Sequence, residues 1–400
     1  MASKNPRPLK VAYDIYRLTA GGANGGIKVH HYEFLRCFVE QHSHELQLHV
    51  FCQEEILPEL DFLGCNGNHQ IHVIGSRGSY EPRDSDGSLP PLHYWPQLPD
   101  NLLKLLEIDV LYAGFGFSRL YTPDVPQVSL IVDVLHRAYP ESLPPEEVVF
   151  RDEWYTREIA RSTLIQTNSQ FCKQQLVDEF GADPDKIFTI SLPLHGRFNR
   201  VEMGQLPEQL RGLEHKYFLY PANYWPHKNH KRLIEAYALY EKATGENALH
   251  LVLTGHPNKG GKKMSALISE LGLKNRVHQI GHLDLANYKT VWELSHSLIF
   301  PSKYEGFGIP LIEALYFQKP IACSESSYAE EFVSPEATTF KTMRTKDISD
   351  ALTALQTNPG TFVDQNSTLE KFENENIAAT LLAQCLNAAN LNGKTPAIVA

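Results

Sequence analysis

Apolar runs of four to six residues alternate along this chain with longer segments of helical period. Residues 9–14 form a first apolar run, followed by a Gly-rich stretch at 19–26 and a helical pattern over 27–40. Runs at 46–52, 71–74, 109–112, 128–132, 163–167 and 187–190 predict further strands, with helices over 146–162 and 170–180 between them. Asn168 and Ser169 offer caps to the latter helix. Residues 76–100 are polar and rich in Pro, Gly and Asp, which reads as a long loop. The pattern breaks at 193–214 and then restarts, with strands at 217–220, 250–254, 277–280 and 297–300. Helices over 231–244, 264–271, 285–295 and 310–317 separate and follow those strands, and 375–389 is an amphipathic helix. Strand and helix in alternation predict parallel sheets covered by helices, here twice over. The expected division is 1–200, 201–372, a terminal helix at 373–390 and a tail at 391–400.

Composition narrows the class. The net charge is −10 and no long basic block occurs, so nucleic acid is not an expected partner. Six dispersed cysteines form no C-x-x-C pair, and residues 1–10 lack the apolar core of a signal peptide. No apolar run reaches the ~20 residues that a membrane helix needs. A reduced cytoplasmic protein is expected, with a peripheral contact at the inner membrane left open. Among the 18 histidines, His278 and His282 straddle a strand end and Gly281, so helical metal spacing does not apply and no metal is expected. Lys259-Gly260-Gly261-Lys262-Lys263 reads as a solvated basic loop.

The most informative stretch is 300–315, Phe-Pro-Ser-Lys-Tyr-Glu-Gly-Phe-Gly-Ile-Pro-Leu-Ile-Glu-Ala-Leu. A buried strand leads into Gly306, Phe307, Gly308 and Ile309, and then into a helix with Pro310 in its first turn. A Gly-rich turn before a helix N-terminus suits phosphate, because backbone N–H groups there lack partners and glycine permits close approach. Glu305 and Glu313 flank this turn. Carboxylates repel phosphate but bind hydroxyl pairs strongly, and so point to a sugar and a ribose. Taken alone they read equally well as a helix cap, a Lys303 partner or a charge opposing the helix dipole.

Glu305 to Glu313, with Gly-Phe-Gly-Ile-Pro inside and Glu-Ala after, resembles the E-x7-E signature of GT-B glycosyltransferases, in particular retaining family 4. Pro301-Ser302 before it, 319–324 after it, and Ser326, Ser327 and Glu330 match the flanking blocks, and the resemblance runs through most of 10–335. It implies two tandem Rossmann-like, doubly wound domains with an interdomain cleft, the terminal helix packing back across the first domain. It implies transfer of a hexose, with retention, from a nucleoside diphosphate sugar to a carbohydrate or lipid-linked acceptor. No cofactor and no metal are implied. The segment Pro226-His227-Lys228-Asn229 looks most like that of bacterial mannosyltransferases of polysaccharide assembly, and so points to GDP-mannose.

Residue roles carry over from the resemblance. Lys228 takes the place of a diphosphate-binding lysine, Glu305 of a sugar ligand and Glu313 of a ribose ligand. Gly25 and Gly26 take the place of a cleft-lining turn for the donor phosphates or the acceptor. The spacing over 21–26 is not the G-x-G-x-x-G of a dinucleotide fold. His136 matches a histidine that reaches the donor sugar, in a block where Asp133 also fits and Val132 departs. Where the family has an Arg before the lysine, Ala222 and Asn223 stand here, and His227 replaces the adjacent Arg. His227, Lys231 or Arg232 would have to compensate. Rival readings are a GT-B sugar-nucleotide epimerase and a non-catalytic subunit that only binds sugar nucleotide or a partner glycosyltransferase.

Overall fold

The computed structural model describes residues 7–22, 24–64, 68–78, 90–192, 195–256, 259–333, 337–358 and 374–393. The chain separates into two units. One comprises Met1–Val134, Val149–Pro193 and Phe372–Ala400; the other comprises Leu135–Val148 and Leu194–Lys371. The segment around His136, which the sequence reading put in the first domain, thus groups with the second unit.

The first unit holds an eight-stranded sheet. Its strands are β1 (Leu9–Asp14), β2 (Leu46–Cys52), β3 (Gln70–Ile74), β4 (Leu92–Trp95), β5 (Val110–Ala113), β6 (Gln127–Leu130), β7 (Leu164–Thr167) and β8 (Ile187–Thr189). They lie in the order β4-β3-β2-β1-β5-β6-β7-β8, and every pairing is parallel. Parallel strands are covered on both faces, which is why they read as continuous apolar runs rather than as alternation. The terminal helix Asn374–Leu391 presents Ile377, Ala378, Leu381, Leu382 and Cys385 to a core shared with Val11, Tyr13, Leu48 and Tyr112. Ser169 caps helix Gln170–Phe180 by accepting from Cys172 N at 3.0 Å, and left-handed Gly181 ends it.

The second unit holds β9 (Tyr217–Pro221), β10 (His250–Thr254), β11 (Val277–Gly281), β12 (Ser297–Phe300), β13 (Ile321–Ser324) and β14 (Thr338–Phe340). Their order is β11-β10-β9-β12-β13-β14, again all parallel. In each sheet the winding reverses once, at β1/β5 in the first and at β9/β12 in the second. Ligands of open α/β sheets bind outside the carboxyl ends of the strands at such a reversal.

Two sequence expectations are corrected. The expected loop 76–100 contains β4, whose strand Leu-His-Tyr-Trp pairs with β3 at the sheet edge. An edge strand is covered on fewer sides and needs less apolar character, so the Pro- and Asp-rich surroundings masked it; 79–89 lie outside the described residues. The basic stretch 259–263 is the first turn of helix Lys259–Glu270, not a loop. Gly261 fits there because Tyr224 packs close, 3.2 Å from where a Cβ would stand. Of the expected tail, 394–400 lie outside the described residues.

The outer strands of the first sheet bury two stacked imidazoles, with the exposed His93 beside them. His49 and His72 face each other with ring centroids 5.2 Å apart, and His93 continues the stack at 5.0 Å. Trp95 Nε1, which can only donate, donates to His72 Nδ1 at 3.1 Å. His72 Nε2 therefore carries the proton and donates to His49 Nδ1 at 3.0 Å. Burial lowers the His72 pKa to about 3, and those of His49 and His69 to about 4. The unfolded chain, with ordinary histidines near pH 6.5, binds more protons below that pH than the folded chain does, so stability falls as pH falls. Asp14, raised to about 6 by burial, and Glu158, also raised by burial, act in the opposite sense but are two groups against several. We expect urea midpoints to drop steadily from pH 6.5 to pH 4, each buried imidazole costing about 1.4 kcal/mol per pH unit. The His72→Phe variant should show a shallower slope; a wild-type profile flat across that window would contradict the assignment.

Candidate functional site

Strands β9 and β12 lie side by side, with Leu219 opposite Leu298, so the loops that leave them emerge together. The loop after β9 is Ala222–Asn229 and ends in a short 3-10 turn, Pro226–Lys228. Asn229 follows in the left-handed conformation, φ 62°, and leads into helix His230–Thr244. Its side chain fixes the turn, donating to Pro301 O at 3.2 Å and to Thr342 O at 3.0 Å. Tyr220 OH donates to Lys228 O at 2.7 Å, and Lys303 N donates to His227 O at 2.8 Å. The two loops are thus joined before any ligand is considered.

The loop after β12 is equally held. Ser324 Oγ and Tyr328 OH both donate to Ser302 O, at 2.7 and 2.9 Å. Phe307 is buried against Phe332, ring centroids 4.7 Å apart. Gly308 has φ 86°, and a Cβ there would stand 3.1 Å from Leu311 Cδ1, so the turn into helix Ile309–Tyr316 needs glycine. That helix has Pro310 at its start and neither a side-chain cap nor an acidic residue in its first turn.

These constraints bring Lys228 to Glu305. Lys228 Nζ donates to both carboxylate oxygens, at 2.6 and 2.7 Å, and both side chains are largely shielded, 18% and 10% exposed. The pair spans 77 residues of sequence. It displaces the alternative of a Glu305–Lys303 pair. An ammonium has three N–H donors, so two bonds to Glu305 leave capacity for a third acceptor.

Glu313 is placed differently. It is 3% exposed, on the buried face of helix Ile309–Tyr316. One carboxylate oxygen is ion-paired with Arg197, itself 5% exposed. The other accepts from Tyr288 OH at 2.6 Å and from Trp292 Nε1 at 3.1 Å. Its carboxylate therefore already meets three protein donors. The sequence reading missed this set because Arg197 lies in the expected linker, 116 residues away, and no local spacing links them.

The remaining expected residues divide between the units. Asn223 Oδ1 accepts from His256 N at 2.7 Å, tying the β9 loop to the one after β10. His227 is half-buried beside Lys228. Lys231 pairs with Glu235, and Arg232 donates to Met343 Sδ at 3.3 Å, so neither is engaged with the Lys228 pair. His136 is buried in the short helix Leu135–Ala138 of the second unit. Shortly after it, the Tyr139 ring rests against Tyr304, centroids 5.9 Å apart, next to Glu305. Gly25 and Gly26 lie in the first unit, where Gly25, φ 56°, starts helix Gly26–Gln41. Lys28 holds that turn from below, donating to Thr19 O and Gly21 O, each at 2.9 Å. Among the described residues no group of three or more His, Cys, Asp or Glu side chains is arranged to hold a metal ion.

Arg197 and Glu313 make a testable pair. Removing one partner of a buried ion pair strands the other charge and costs about 3–5 kcal/mol, whereas removing both costs less. Arg197→Met should lower unfolding stability by that amount, and Arg197→Met/Glu313→Leu should recover part of the loss in denaturant titrations. A single variant within about 1 kcal/mol of wild type would show that the pair is not structural.

Comparison with known proteins agrees with this architecture. Residues 205–375 match the family model described as glycosyl transferases group 1. The O-antigen chain mannosyltransferase B of Escherichia coli is 24% identical over 56% of this chain and 59% of its own length. The O-antigen chain mannosyltransferase RfbU of Salmonella typhimurium is 25% identical over 50% and 52% respectively, so the alignments span about half the length of these curated relatives. Among solved structures, the Anabaena protein Alr3699/HepE in complex with UDP and glucose superimposes with a TM-score of 0.61 at 15% identity, covering 96% of this chain and 98% of that one. With β9 to β14 inside the matched region and both parallel sheets matching the solved structures, this chain has the GT-B fold, and its residues 205–375 are similar to glycosyl transferases group 1.

Proposed function

We propose that this protein transfers a hexose from a nucleoside diphosphate sugar to an acceptor hydroxyl in the assembly of a polysaccharide or glycoconjugate. The observation that carries the reading is the Lys228–Glu305 pair at the β9/β12 reversal, beside the uncapped start of helix Ile309–Tyr316. A cation, a helix N-terminus and a carboxylate side by side match the parts of a sugar nucleotide: diphosphate for the first two, hydroxyls for the third. The family match of 205–375 supports the same reading.

In this mechanism Lys228 and the N–H groups at Phe307, Gly308 and Ile309 hold the departing diphosphate, where negative charge develops as the bond to the sugar breaks. Glu305 accepts from sugar hydroxyls and orients the ring. The bond from the sugar's anomeric carbon to the acceptor oxygen forms, and the acceptor's proton passes to the departing diphosphate. His136, carried near the Glu305 loop by Tyr139, is assigned to the donor sugar, and Gly25 and Gly26 to the approach of the donor phosphates or the acceptor. Glu313 fixes the helix that carries the turn, and its ribose contact uses the acceptor capacity that Arg197, Tyr288 and Trp292 leave. Retention of configuration and GDP-mannose as donor are the specific forms of this proposal. The mannosyltransferase relatives of Escherichia coli and Salmonella typhimurium favour mannose. The acceptor is a carbohydrate or a lipid-linked carbohydrate.

A panel of GDP-, UDP-, ADP- and dTDP-sugars, followed by ligand-observed NMR, tests this directly. GDP-mannose should bind and turn over. Lys228→Ala should lower kcat/KM by about 10²-fold or more, as losing one donor to a developing oxyanion does, with the fold unchanged by circular dichroism. Binding of no nucleotide sugar by folded protein would leave a non-catalytic subunit, and a product that stays nucleotide-linked would make the enzyme an epimerase.

A further inference from the structure

Three protein donors reach the Glu313 carboxylate, and their count sets what it can still accept. A carboxylate offers about four acceptor positions, two on each oxygen. Tyr288 OH and Trp292 Nε1 take those of Oε2. Arg197 holds Oε1 through Nη2. Among the described residues no further donor reaches the group. One position is left, and it belongs to the oxygen that Arg197 already grips. The residue is 3% exposed, in keeping with one remaining position rather than several.

Arg197 is a fixed occupant. It belongs to the second unit, as Glu313 does, and the segment that carries it is bonded to two helices of that unit. Lys289 Nζ, on helix Leu285–Glu293, donates to Phe198 O at 3.0 Å and to Val201 O at 2.9 Å, and Thr290 Oγ1 donates to Gly204 O at 3.0 Å. Tyr316 OH, at the end of the helix that carries Glu313, donates to Asn199 Oδ1 at 2.5 Å. The Arg197 guanidinium lies over the Phe198 ring, 4.5 Å from its centroid, and Phe198 packs on Phe317 with centroids 4.7 Å apart. Moving Arg197 aside would strand two buried charges, whose side chains are 6% and 2% exposed. A donor therefore meets Glu313 with Arg197 in place.

The helix sets the scale of that meeting. Glu313 follows Ile309 by four residues, about 6 Å along the axis. That is the scale of the step from a phosphate to the hydroxyls of its attached ribose. Arg197 also serves a phosphate at the helix start, because it neutralises a carboxylate that would otherwise repel an anion one turn away.

We propose that Arg197 restricts Glu313 to one hydrogen bond with the donor's ribose, so that the site reads one of the two ribose hydroxyls and ignores the other. Arg197 is then a positioning residue for specificity: it acts through Glu313 and touches no substrate. The proposal rests on the donor reading above, in which Glu313 takes the ribose. Without Arg197, both positions on Oε1 would be open and Glu313 would accept from both hydroxyls.

GDP, or whichever nucleoside diphosphate of the panel binds, is compared by calorimetry with its 2′-deoxy and 3′-deoxy forms. In the wild type one deoxy form should bind about tenfold more weakly than the parent, through loss of one hydrogen bond to a charged group, and the other should match the parent. In Arg197→Met both deoxy forms should lose about tenfold, because the freed position takes the second hydroxyl. Arg197→Lys keeps a donor on Oε1 and should keep the wild-type pattern. A merely structural arginine would change stability and overall affinity, not the pattern between the two deoxy forms. Titrations are run at a temperature where circular dichroism shows Arg197→Met folded; if it does not fold, the wild-type pattern decides. Equal losses for both deoxy forms in the wild type, or no loss for either, overturn the proposal. So does an Arg197→Met protein that still reads a single hydroxyl. Binding of no nucleoside diphosphate by folded wild type overturns the donor reading and this proposal with it, and is told apart because the parent compound already fails.

Discussion

Everything at the candidate site depends on β9 lying beside β12. The two strands are parallel neighbours although β10 and β11 separate them in sequence. Because the sheet winds outward from this seam in both directions, no helix connects the two strands over their carboxyl ends. The loops that leave them are rigid because each backbone carbonyl that matters has a side-chain donor beneath it: Tyr220 under Lys228, Asn229 under Pro301 and Thr342, and Ser324 with Tyr328 under Ser302. A buried hydroxyl or amide in such a place satisfies a group that would otherwise be costly to bury, and it also fixes where the next charged residue stands.

The same logic recurs in the first unit with different residues. There Asp14 with Ser118, Arg17 over Phe117 and Arg119 over Tyr16 join the chain leaving β1 to the chain leaving β5. One sheet is sealed at its seam by tyrosine, serine and asparagine, the other by a carboxylate and cation–π stacks. Beneath the first seam, Tyr13 and Tyr112 stack at 4.5 Å, and the terminal helix covers them. Residues from the two ends of the chain thus meet in one core.

What was legible in the sequence follows from what is local. The strands of a parallel sheet are buried on both faces, so β1, β2, β9, β10 and β12 stand out as apolar runs. The Gly-Phe-Gly-Ile-Pro turn carries its conformation in its composition: Pro310 is in the first helical turn as expected, and Gly308 is left-handed. Edge strand β4 escaped because little of it is buried, and the start of helix Lys259–Glu270 escaped because two glycines argue against a helix, although Tyr224 packs on Gly261. The partners of the charged residues were illegible for another reason. Lys228–Glu305 and Arg197–Glu313 close only after two sheet neighbours or a distant helix are in place, and no periodicity records such a closure. Motif matching singled out Glu305 and Glu313 together, yet one shares a lysine near the surface and the other is sunk among Arg197, Tyr288 and Trp292.

The ion pair of Lys228 and Glu305 has a consequence for discrimination. An ammonium already bridging two carboxylate oxygens is a poor trap for a stray anion, because orthophosphate would draw Lys228 away and leave a shielded carboxylate without its cation. A molecule that brings hydroxyl donors together with its phosphates compensates Glu305 while it engages Lys228. On the donor reading proposed above, the Lys228–Glu305 pair therefore disfavours orthophosphate and favours a ligand that satisfies cation and carboxylate at once.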